Sequence, residues 1–184
     1  MHSDAPELTN GFLTPSTIET ERLFLRPFQS KDWKDMHQYY SDVDAIRYTT
    51  GRTLTENETW QKVATSIGHW QIFGYGPYAI ENKATQRVIG TTGPWFPIDW
   101  PSPEIKWALV KEYWGQGLAT EAVKAVQKMV WKHLPDIAFI SLIDSRNKAS
   151  IRLAEKIRAR LENERPFKGG LWYLYRHPVS LPPE

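Results

Sequence analysis

The chain has 184 residues, of which 41% are hydrophobic and 24% charged, and its formal net charge at pH 7 is +2. These values are typical of one globular domain, and so small a charge does not indicate a nucleic-acid or membrane partner. The chain contains no cysteine, which excludes disulfides, thiolate metal ligands and a cysteine nucleophile. A mean hydropathy of −0.52, without a long apolar run, argues against a membrane-spanning helix.

Residues 1–18 are polar and contain proline, so we expect a loose tail before one folded domain over residues 19–184. The tail lacks the basic segment followed by an apolar one that marks a secretory signal. We therefore expect a cytoplasmic protein.

The first half of the chain predicts a strand, two helices and a hairpin. Apolar and polar residues alternate over 21–28 (ERLFLRPF), which is typical of a half-buried strand. One helix is expected from Ser30 as its N-cap, and a second from Thr55, whose spacing from Glu58 fits a capping box. Residues 76–97 predict two strands joined by a polar turn at 82–86.

The second half continues the alternation of strands and helices. Strands are expected over 103–110 and 136–143, helices over 117–133 and 147–159, and a closing hairpin that turns at Gly169 and Gly170. The whole pattern predicts one α/β (α+β) domain, with a mixed, mostly antiparallel sheet of about seven strands and about four flanking helices.

A strand gives way to a helix at WGQGLAT, residues 114–120, with two glycines one residue apart. Glycine allows positive φ and a close approach of the backbone to an anion, and the first turn of a helix offers unpaired N–H groups. A phosphate cradle and a simple tight turn both fit this pattern. It lacks the Lys-Ser/Thr of a P-loop and the third glycine of a dinucleotide fingerprint.

With Trp114 in its first position, this turn resembles the acetyl-CoA-binding motif of the GNAT superfamily of N-acetyltransferases. It is most similar to the branch of ribosomal-protein N-terminal acetyltransferases of the RimJ/RimL type. TERLFLRPF, GYGPYAIENKATQRVIGTTG, EIKWAL and NKASIRLAEK follow the family's order, so the resemblance spans residues 20–178. It implies transfer of an acetyl group from acetyl-CoA to a primary amine, on a protein N-terminus or a small molecule. Without cysteine, direct attack in a ternary complex is the expected mechanism.

The resemblance also implies where the coenzyme binds. The family's fourth strand, here 103–110, carries a β-bulge and splays from the fifth, which opens a slot for the pantetheine arm. The positions that the resemblance assigns to acetyl-CoA are Leu109, Val110, Trp114, Gly115, Gln116, Gly117, Leu118, Ala119, Thr120 and Asn147. One departure is Arg158, which stands where the family usually ends this helix with glycine.

Glu104 is the candidate general base, because the amine must lose a proton before it attacks. Lys106 shares its strand face and is expected to lower the pKa of the Glu104 carboxyl. A solvent-facing Glu–Lys pair at a strand edge is the alternative.

Ser150 is the candidate acid for the leaving thiolate, since the helix over 147–159 contains no tyrosine. By resemblance Asn147 would bind the pantetheine, whereas simple helix capping is the alternative role. Trp95 and Trp100 are candidates for shaping the acceptor pocket, with Phe96 and Trp107 beside them, although aromatic residues also pack against sheets.

The five histidines show no metal-ligand spacing, and no metal is expected. His133 and His177 are expected at the surface near the ends of elements. The chain is expected to be a monomer or homodimer. Two other functions stay open: a CoA-binding module without turnover, and nucleic-acid binding, which rests only on the mild basic excess and which we do not expect.

Overall fold

The computed structural model describes residues 11–180 as one mixed sheet of eight strands with five α-helices and two short 3₁₀ helices. The strands are β1 Ile18–Glu19, β2 Leu23–Pro27, β3 Tyr78–Asn82, β4 Arg87–Trp95, β5 Glu104–Leu109, β6 Ile140–Asp144, β7 Arg160–Phe167 and β8 Gly170–Arg176. The α-helices are α1 Trp33–Tyr40, α2 Val43–Ile46, α3 Glu56–Phe73, α4 Leu118–His133 and α5 Lys148–Lys156. The 3₁₀ helices are Ser30–Asp32 and Lys111–Tyr113.

The strand order is β1-β2-β3-β4-β5-β6-β8-β7, and every neighbouring pair is antiparallel except β5 and β6. Helix α4 connects these two parallel strands and buries its apolar stripe, which includes Val123 and Val126, against one sheet face. Helix α1 covers the opposite face, where Met36 joins Ala79 and Val88. Successive strand residues point to opposite faces, so the two faces carry separate apolar clusters.

Strands β5 and β6 part almost at once. Their ladder consists of the single pair Glu104–Ile140, after which the two strands diverge. The predicted splay between the fourth and fifth principal strands is therefore confirmed; the two-residue β1 shifts their numbers by one. The expected β-bulge is not seen on the β4 side, because the β4–β5 register runs from Trp95–Glu104 to Gly90–Leu109 without a shift.

Two local predictions in the first half need correction. Residues 11–18 are not loose: Phe12 and Leu13 pack against the core, and Thr14 is fully buried. The remainder of the predicted tail, 1–10, lies outside the described residues. Ser30 is not the N-cap of the first helix, since Gln29 takes that place and its amide donates to the Asp32 carboxylate at 2.7 Å. The Thr55–Glu58 capping box is confirmed.

Helix α5 ends in a Schellman motif despite its missing glycine. The Ala159 amide donates to the Ala154 carbonyl and the Arg158 amide to that of Glu155, at 2.9 Å each. Arg158 adopts a left-handed φ of +64°. The helix therefore ends as it would with glycine, and the arginine backbone bears the strain.

His177 is buried, contrary to the expected surface position. Its ring bridges Gln127, whose side-chain amide lies 3.0 Å from Nδ1, and Ser141, whose hydroxyl lies 2.8 Å from Nε2. The Ser141 hydroxyl donates in turn to the Ile105 carbonyl at 2.6 Å. Burial lowers the pKa of His177 to about 3, so the ring is neutral.

Across residues 11–180, the helices lack the combination of length and apolar character needed to cross a membrane.

Candidate active site

A cavity of about 430 Å³ opens where β5 and β6 diverge. Its walls come from β5 and β6, the loop before β5, α3, the start of α5 and the β7–β8 turn. The predicted site residues that line it are Trp95, Trp100, Glu104, Asn147 and Ser150. Glu104 and Ser150, which are 46 positions apart in sequence, thus line the same cavity.

Glu104 is buried, with only 7% of its surface exposed, so the alternative of a solvent-facing pair at a strand edge is wrong. The Trp100 indole N–H donates to its carboxylate. Burial raises the pKa of Glu104 to about 7, although Trp100 and the charge of Lys106 favour the ionised form. The expected lowering by Lys106 is therefore outweighed by desolvation. A carboxyl that titrates near 7 is matched to proton transfer at neutral pH.

Lys106 extends from β5 into the same cavity and rests on an aromatic ring. Its Nζ lies 4.3 Å from the Trp95 ring centroid, within cation–π range. Burial lowers its pKa to about 8, and the positive charges of Lys62 and Lys168 act in the same direction. Within residues 11–180, no carboxylate lies within 4 Å of the Lys106 ammonium.

Ser150 is held by contacts that leave its proton free. The Trp107 indole N–H donates to Ser150 Oγ at 3.1 Å, so the hydroxyl hydrogen can point into the cavity. Asn147 Oδ1 accepts from the Ser150 amide at 3.2 Å, which establishes the capping role for Asn147. Capping uses the carbonyl oxygen of Asn147, and its side-chain N–H₂ group can still donate to a ligand.

The backbone of β5 offers donors on the side that faces β6. The Val110 amide donates to the Ile89 carbonyl at 2.9 Å, so it is already used and cannot reach a coenzyme as expected. In an antiparallel pair, successive residues alternate between bonding to one neighbouring strand and facing away from it. Because Val110 bonds to β4, Trp107 and Leu109 direct their main-chain groups toward β6. No ladder bond from β6 meets them in the described structure. The main chain of Leu109 therefore faces the gap, as does that of Trp107, whereas the Val110 amide does not.

The turn before α4 has the geometry of an anion cradle. Gly115 and Gly117 adopt left-handed φ angles of +74° and +77°. Helices α3 and α5 start with a side-chain cap, whereas α4 starts at Gly117, which has no side chain to cap it. The Glu121 amide bonds to the Gly117 carbonyl at 3.0 Å, so the preceding amides, Leu118 to Thr120, face outward from the first turn. These features suit a diphosphate.

Side chains of the turn have mainly structural contacts. The Trp114 indole N–H donates to the Leu109 carbonyl at 2.9 Å, which attaches the turn to the end of β5. The Gln116 side-chain amide donates to the Glu112 carbonyl at 3.0 Å. Leu118 is buried in the core, with 2% of its surface exposed. Only the main chain of Leu118 can therefore meet a coenzyme.

Arg22, which the sequence did not single out, braces this turn. Its Nη1 donates to the Gln116 carbonyl at 2.9 Å, and its Nε pairs with Glu121 at 2.7 Å. Burial alone would raise the pKa of Glu121, but hydrogen bonds from Thr20 and Arg22 together lower it. The guanidinium thus attaches the turn to the start of β2, and its charge is paired with Glu121.

His69 fixes the loop that carries the acceptor-side aromatic residues. Its ring stacks between Phe73 and Trp95, with centroids at 4.5 and 5.0 Å. Its Nδ1 lies 2.9 Å from the Tyr75 carbonyl, and its Nε2 accepts from the Phe96 amide at 3.0 Å. Burial lowers the pKa of His69, in keeping with an acceptor nitrogen. Phe96 itself is not among the cavity-lining residues, whereas Trp107 is.

Three tyrosines at the ends of α1 and α2, which sequence reasoning did not link to the site, also line the cavity: Tyr39, Tyr40 and Tyr48. Burial raises the pKa of Tyr39 to about 12. Tyr39 is therefore neutral and suited to hydrogen bonding rather than to base chemistry. Within residues 11–180, no three His, Asp or Glu side chains gather as metal ligands do.

The family model described as the acetyltransferase (GNAT) domain matches residues 22–160. The uncharacterized N-acetyltransferase p20 of Bacillus licheniformis is 32% identical over 138 residues, which cover 73% of this chain and 72% of that protein. The uncharacterized N-acetyltransferase YnaD of Bacillus subtilis is 26% identical over 145 residues, 79% of this chain and 83% of that protein.

Two solved structures extend the comparison. The acetyltransferase from Agrobacterium tumefaciens superposes with a TM-score of 0.79 at 25% identity, covering 90% of this chain and 95% of its own. RimL, the ribosomal L7/L12 α-N-protein acetyltransferase, solved with coenzyme A, gives a TM-score of 0.71 at 20% identity, covering 88% of this chain and 97% of its own. The likeness to RimL is one of fold.

Proposed function

Because the chain belongs to the GNAT family of acetyl-CoA-dependent acetyltransferases, we propose that it acetylates a primary amine by direct attack in a ternary complex. The observation that carries this proposal is the shared cavity: the buried carboxyl of Glu104 and the hydroxyl of Ser150 line one space at the β5–β6 split. A base and an acid on opposite sides of a reacting centre are what amine acetylation requires.

Acetyl-CoA would be held by the main chain at two places. The outward amides of residues 115–120 would bind its diphosphate, with the Arg22 guanidinium close by. The gap between the second half of β5 and β6 would take the pantetheine arm, where the Leu109 and Trp107 amides and the Asn147 side chain can donate to it. Bound acetyl-CoA supplies the thioester carbonyl that the amine attacks.

The protein's own groups move the protons. Glu104 takes a proton from the incoming ammonium, directly or through one water, so that the neutral amine can form its bond to the acetyl carbon. A main-chain amide of β5 stabilises the oxyanion that develops as this bond forms. When the carbon–sulfur bond breaks, the Ser150 hydroxyl gives its proton to the thiolate, and it is reprotonated, through water, by the second proton that the nitrogen loses as the amide forms. The Trp107 indole keeps Ser150 Oγ oriented throughout.

The experiment is to follow CoA release with a panel of peptides and small amines. We expect amine-dependent release with intersecting double-reciprocal plots, as a ternary complex requires. Ser150→Ala, which removes only the hydroxyl, should lower kcat about 10- to 100-fold and leave the Kd for acetyl-CoA within about twofold of the wild-type value. Parallel plots or an unchanged rate in Ser150→Ala would contradict the mechanism. Tight acetyl-CoA binding without release for any amine would instead favour a CoA-binding module.

A further inference from the structure

Three lysines from three different elements reach the acceptor end of the cavity around Glu104. Lys62 comes from α3, Lys106 from β5 and Lys168 from the β7–β8 turn, and all three line the cavity. They are close enough that the charges of Lys62 and Lys168 contribute to lowering the pKa of Lys106. Burial, followed by the charge of Lys62, likewise lowers the pKa of Lys168, although the charge of Glu104 opposes this.

None of these ammonium groups has an ion-pair partner within 4 Å in the described part of the chain. Two of them rest on indole rings instead: Lys106 Nζ lies 4.3 Å from the Trp95 centroid, and Lys168 Nζ lies 4.4 Å from that of Trp100. These aromatic contacts position the Lys106 and Lys168 ammonium groups without neutralising their charges.

The acidic groups of the cavity do not balance these lysines. Asp144 pairs with Arg146 at 2.6 Å, which neutralises it locally. Asp99 is exposed in the loop before β5, and its charge opposes the lowering of the pKa of Lys168, but it forms no ion pair with that lysine within 4 Å. Glu104 titrates near neutral pH and hence is only partly ionised there. The cavity therefore has a surplus of positive charge at pH 7, with Lys106 half-buried and Lys62 and Lys168 exposed.

This surplus disfavours ordinary amine acceptors. A primary amine reaches the site largely as an ammonium ion, because its pKa lies near 8 to 10. Three ammonium groups repel a simple alkylammonium, and they repel a polyamine or aminoglycoside more strongly. An acceptor that also carries an anionic group removes this repulsion and pairs with the lysines.

We propose that the acceptor is a primary amine with a carboxylate a few bonds away, the carboxylate lying among Lys62, Lys106 and Lys168 while the amine faces Glu104. This inference rests on the proposed acetyltransferase function and specifies its substrate class. The same chemistry is offered by a free acidic amino acid and by a peptide N-terminus with an acidic residue beside it. The loss of repulsion and the new ion pairs act on acceptor binding, so KM should change more than kcat.

The test uses three C-terminally amidated dipeptides that differ in one side-chain charge, Ala-Glu, Ala-Gln and Ala-Lys, together with free glutamate. In the CoA-release assay, we expect kcat/KM for Ala-Glu to exceed that for Ala-Lys by at least tenfold, with Ala-Gln between them. Lys62→Gln and Lys168→Gln should each reduce this preference several-fold, mainly through KM. Lys132→Gln, at the far end of α4, removes the same charge outside the cavity and should leave the preference unchanged.

A binding measurement keeps the inference independent of turnover. Tryptophan fluorescence with CoA present reports acceptor binding, because Trp95, Trp100 and Trp107 line the cavity. Saturable quenching by Ala-Glu or by glutamate, weakened in Lys168→Gln, supports the inference, and the better ligand identifies the source. Equal or better binding or turnover of Ala-Lys would overturn it, as would no saturable response to either acidic compound. Failure of acetyl-CoA itself to bind would instead overturn the proposed function.

Discussion

The Glu104 carboxyl titrates near pH 7 because it is buried, and a reaction that needs its ionised form should follow that titration. We predict that kcat of the protein falls about tenfold per pH unit below pH 7. Glu104→Gln should lower kcat by about 10²- to 10⁴-fold, since an amide neither ionises nor accepts the proton. It should also abolish the fall in kcat below pH 7, the acidic limb of the pH–rate profile.

Steady-state rates between pH 5.5 and 8.5 at saturating substrates provide the measurement. Asp99→Asn is the matched control, because it removes an exposed carboxyl from the same cavity and should keep the limb. A Glu104→Gln variant with an unchanged rate and an unchanged limb would assign the base to another group.

Arg158 ends α5 at a φ of +64°, a conformation that glycine adopts more easily. We predict that Arg158→Gly stabilises the protein by about 0.5–1 kcal/mol, since relief of left-handed strain outweighs the entropic cost of glycine. Arg152→Gly within the same helix should instead destabilise it by about 1 kcal/mol. Urea unfolding of both variants tests this; a loss of stability in Arg158→Gly would mean that its side chain contributes more than its backbone costs.

Single residues also show where sequence reasoning stops. Period-two alternation correctly put Glu104 and Lys106 on one face of a strand. It could not reveal that Glu104 is buried there, so that desolvation raises its pKa more than the charge of Lys106 lowers it. Val110 was misjudged because hydrogen-bond direction along β5 depends on the register with β4, and the sequence of β5 alone does not contain that register.

At the scale of elements, the turn before α4 requires glycine for its backbone angles and not for lack of space. A Cβ at Gly115 would have no neighbouring atom within 4 Å, yet φ there is +74°. Gly115→Ala should therefore strain the turn by about 1–2 kcal/mol and weaken acetyl-CoA binding by about tenfold, because the cradle no longer rests in its binding conformation.

Calorimetric titration with acetyl-CoA measures this effect against a close control. Gly51 has a φ of +73° and equally open surroundings, but it lies in the turn before α3. Gly51→Ala should cost similar stability and leave the Kd for acetyl-CoA unchanged. Equal affinities for Gly115→Ala and Gly51→Ala would leave only the tight-turn interpretation.

Most elements could be predicted because their signals are local. The Thr55 capping box, the turn over 82–86 and the glycines of the closing hairpin each depend on residues a few positions apart. Arg22 could not be found in this way, since it contacts the carbonyl of Gln116, 94 positions later. The same holds for the lysines around Glu104, which come from three separate elements.

At the scale of the whole molecule, the active-site gap depends on where β5 and β6 stop pairing. The Ser141 hydroxyl bridges β6 to the Ile105 carbonyl of β5, one residue beyond the last ladder pair, and His177 holds that hydroxyl from behind. This buried network fixes the point of divergence, and a neutral His177 completes it.

We predict that the network makes the fold sensitive to acid. The pKa of His177 is about 3 in the folded state, against about 6.5 for an ordinary histidine. Below pH 6.5 His177 is protonated in the unfolded chain but stays neutral in the folded chain. The free energy of unfolding therefore decreases as the pH is lowered, by about 1 kcal/mol between pH 7.5 and 5.5. Above pH 6.5 His177 is neutral in both states, and this destabilising effect disappears.

Urea unfolding at pH 7.5 and 5.5 tests the prediction with His177→Gln, which cannot titrate. The variant should be less stable than wild type at pH 7.5 by about 1–3 kcal/mol, because its hydrogen bonds to Ser141 and Gln127 fit poorly. It should nevertheless lose less stability on going to pH 5.5. His133→Gln, at the end of α4, should keep most of the wild-type loss. An identical acid loss in His177→Gln would show that His177 is not responsible.

The most direct test of the account is a crystal structure of the protein with bound CoA. We predict that the diphosphate accepts hydrogen bonds from main-chain amides between Gly115 and Thr120, and that the sulfur lies beside Ser150 where β5 and β6 part. A diphosphate bound elsewhere, or a pantetheine arm outside that gap, would contradict the account.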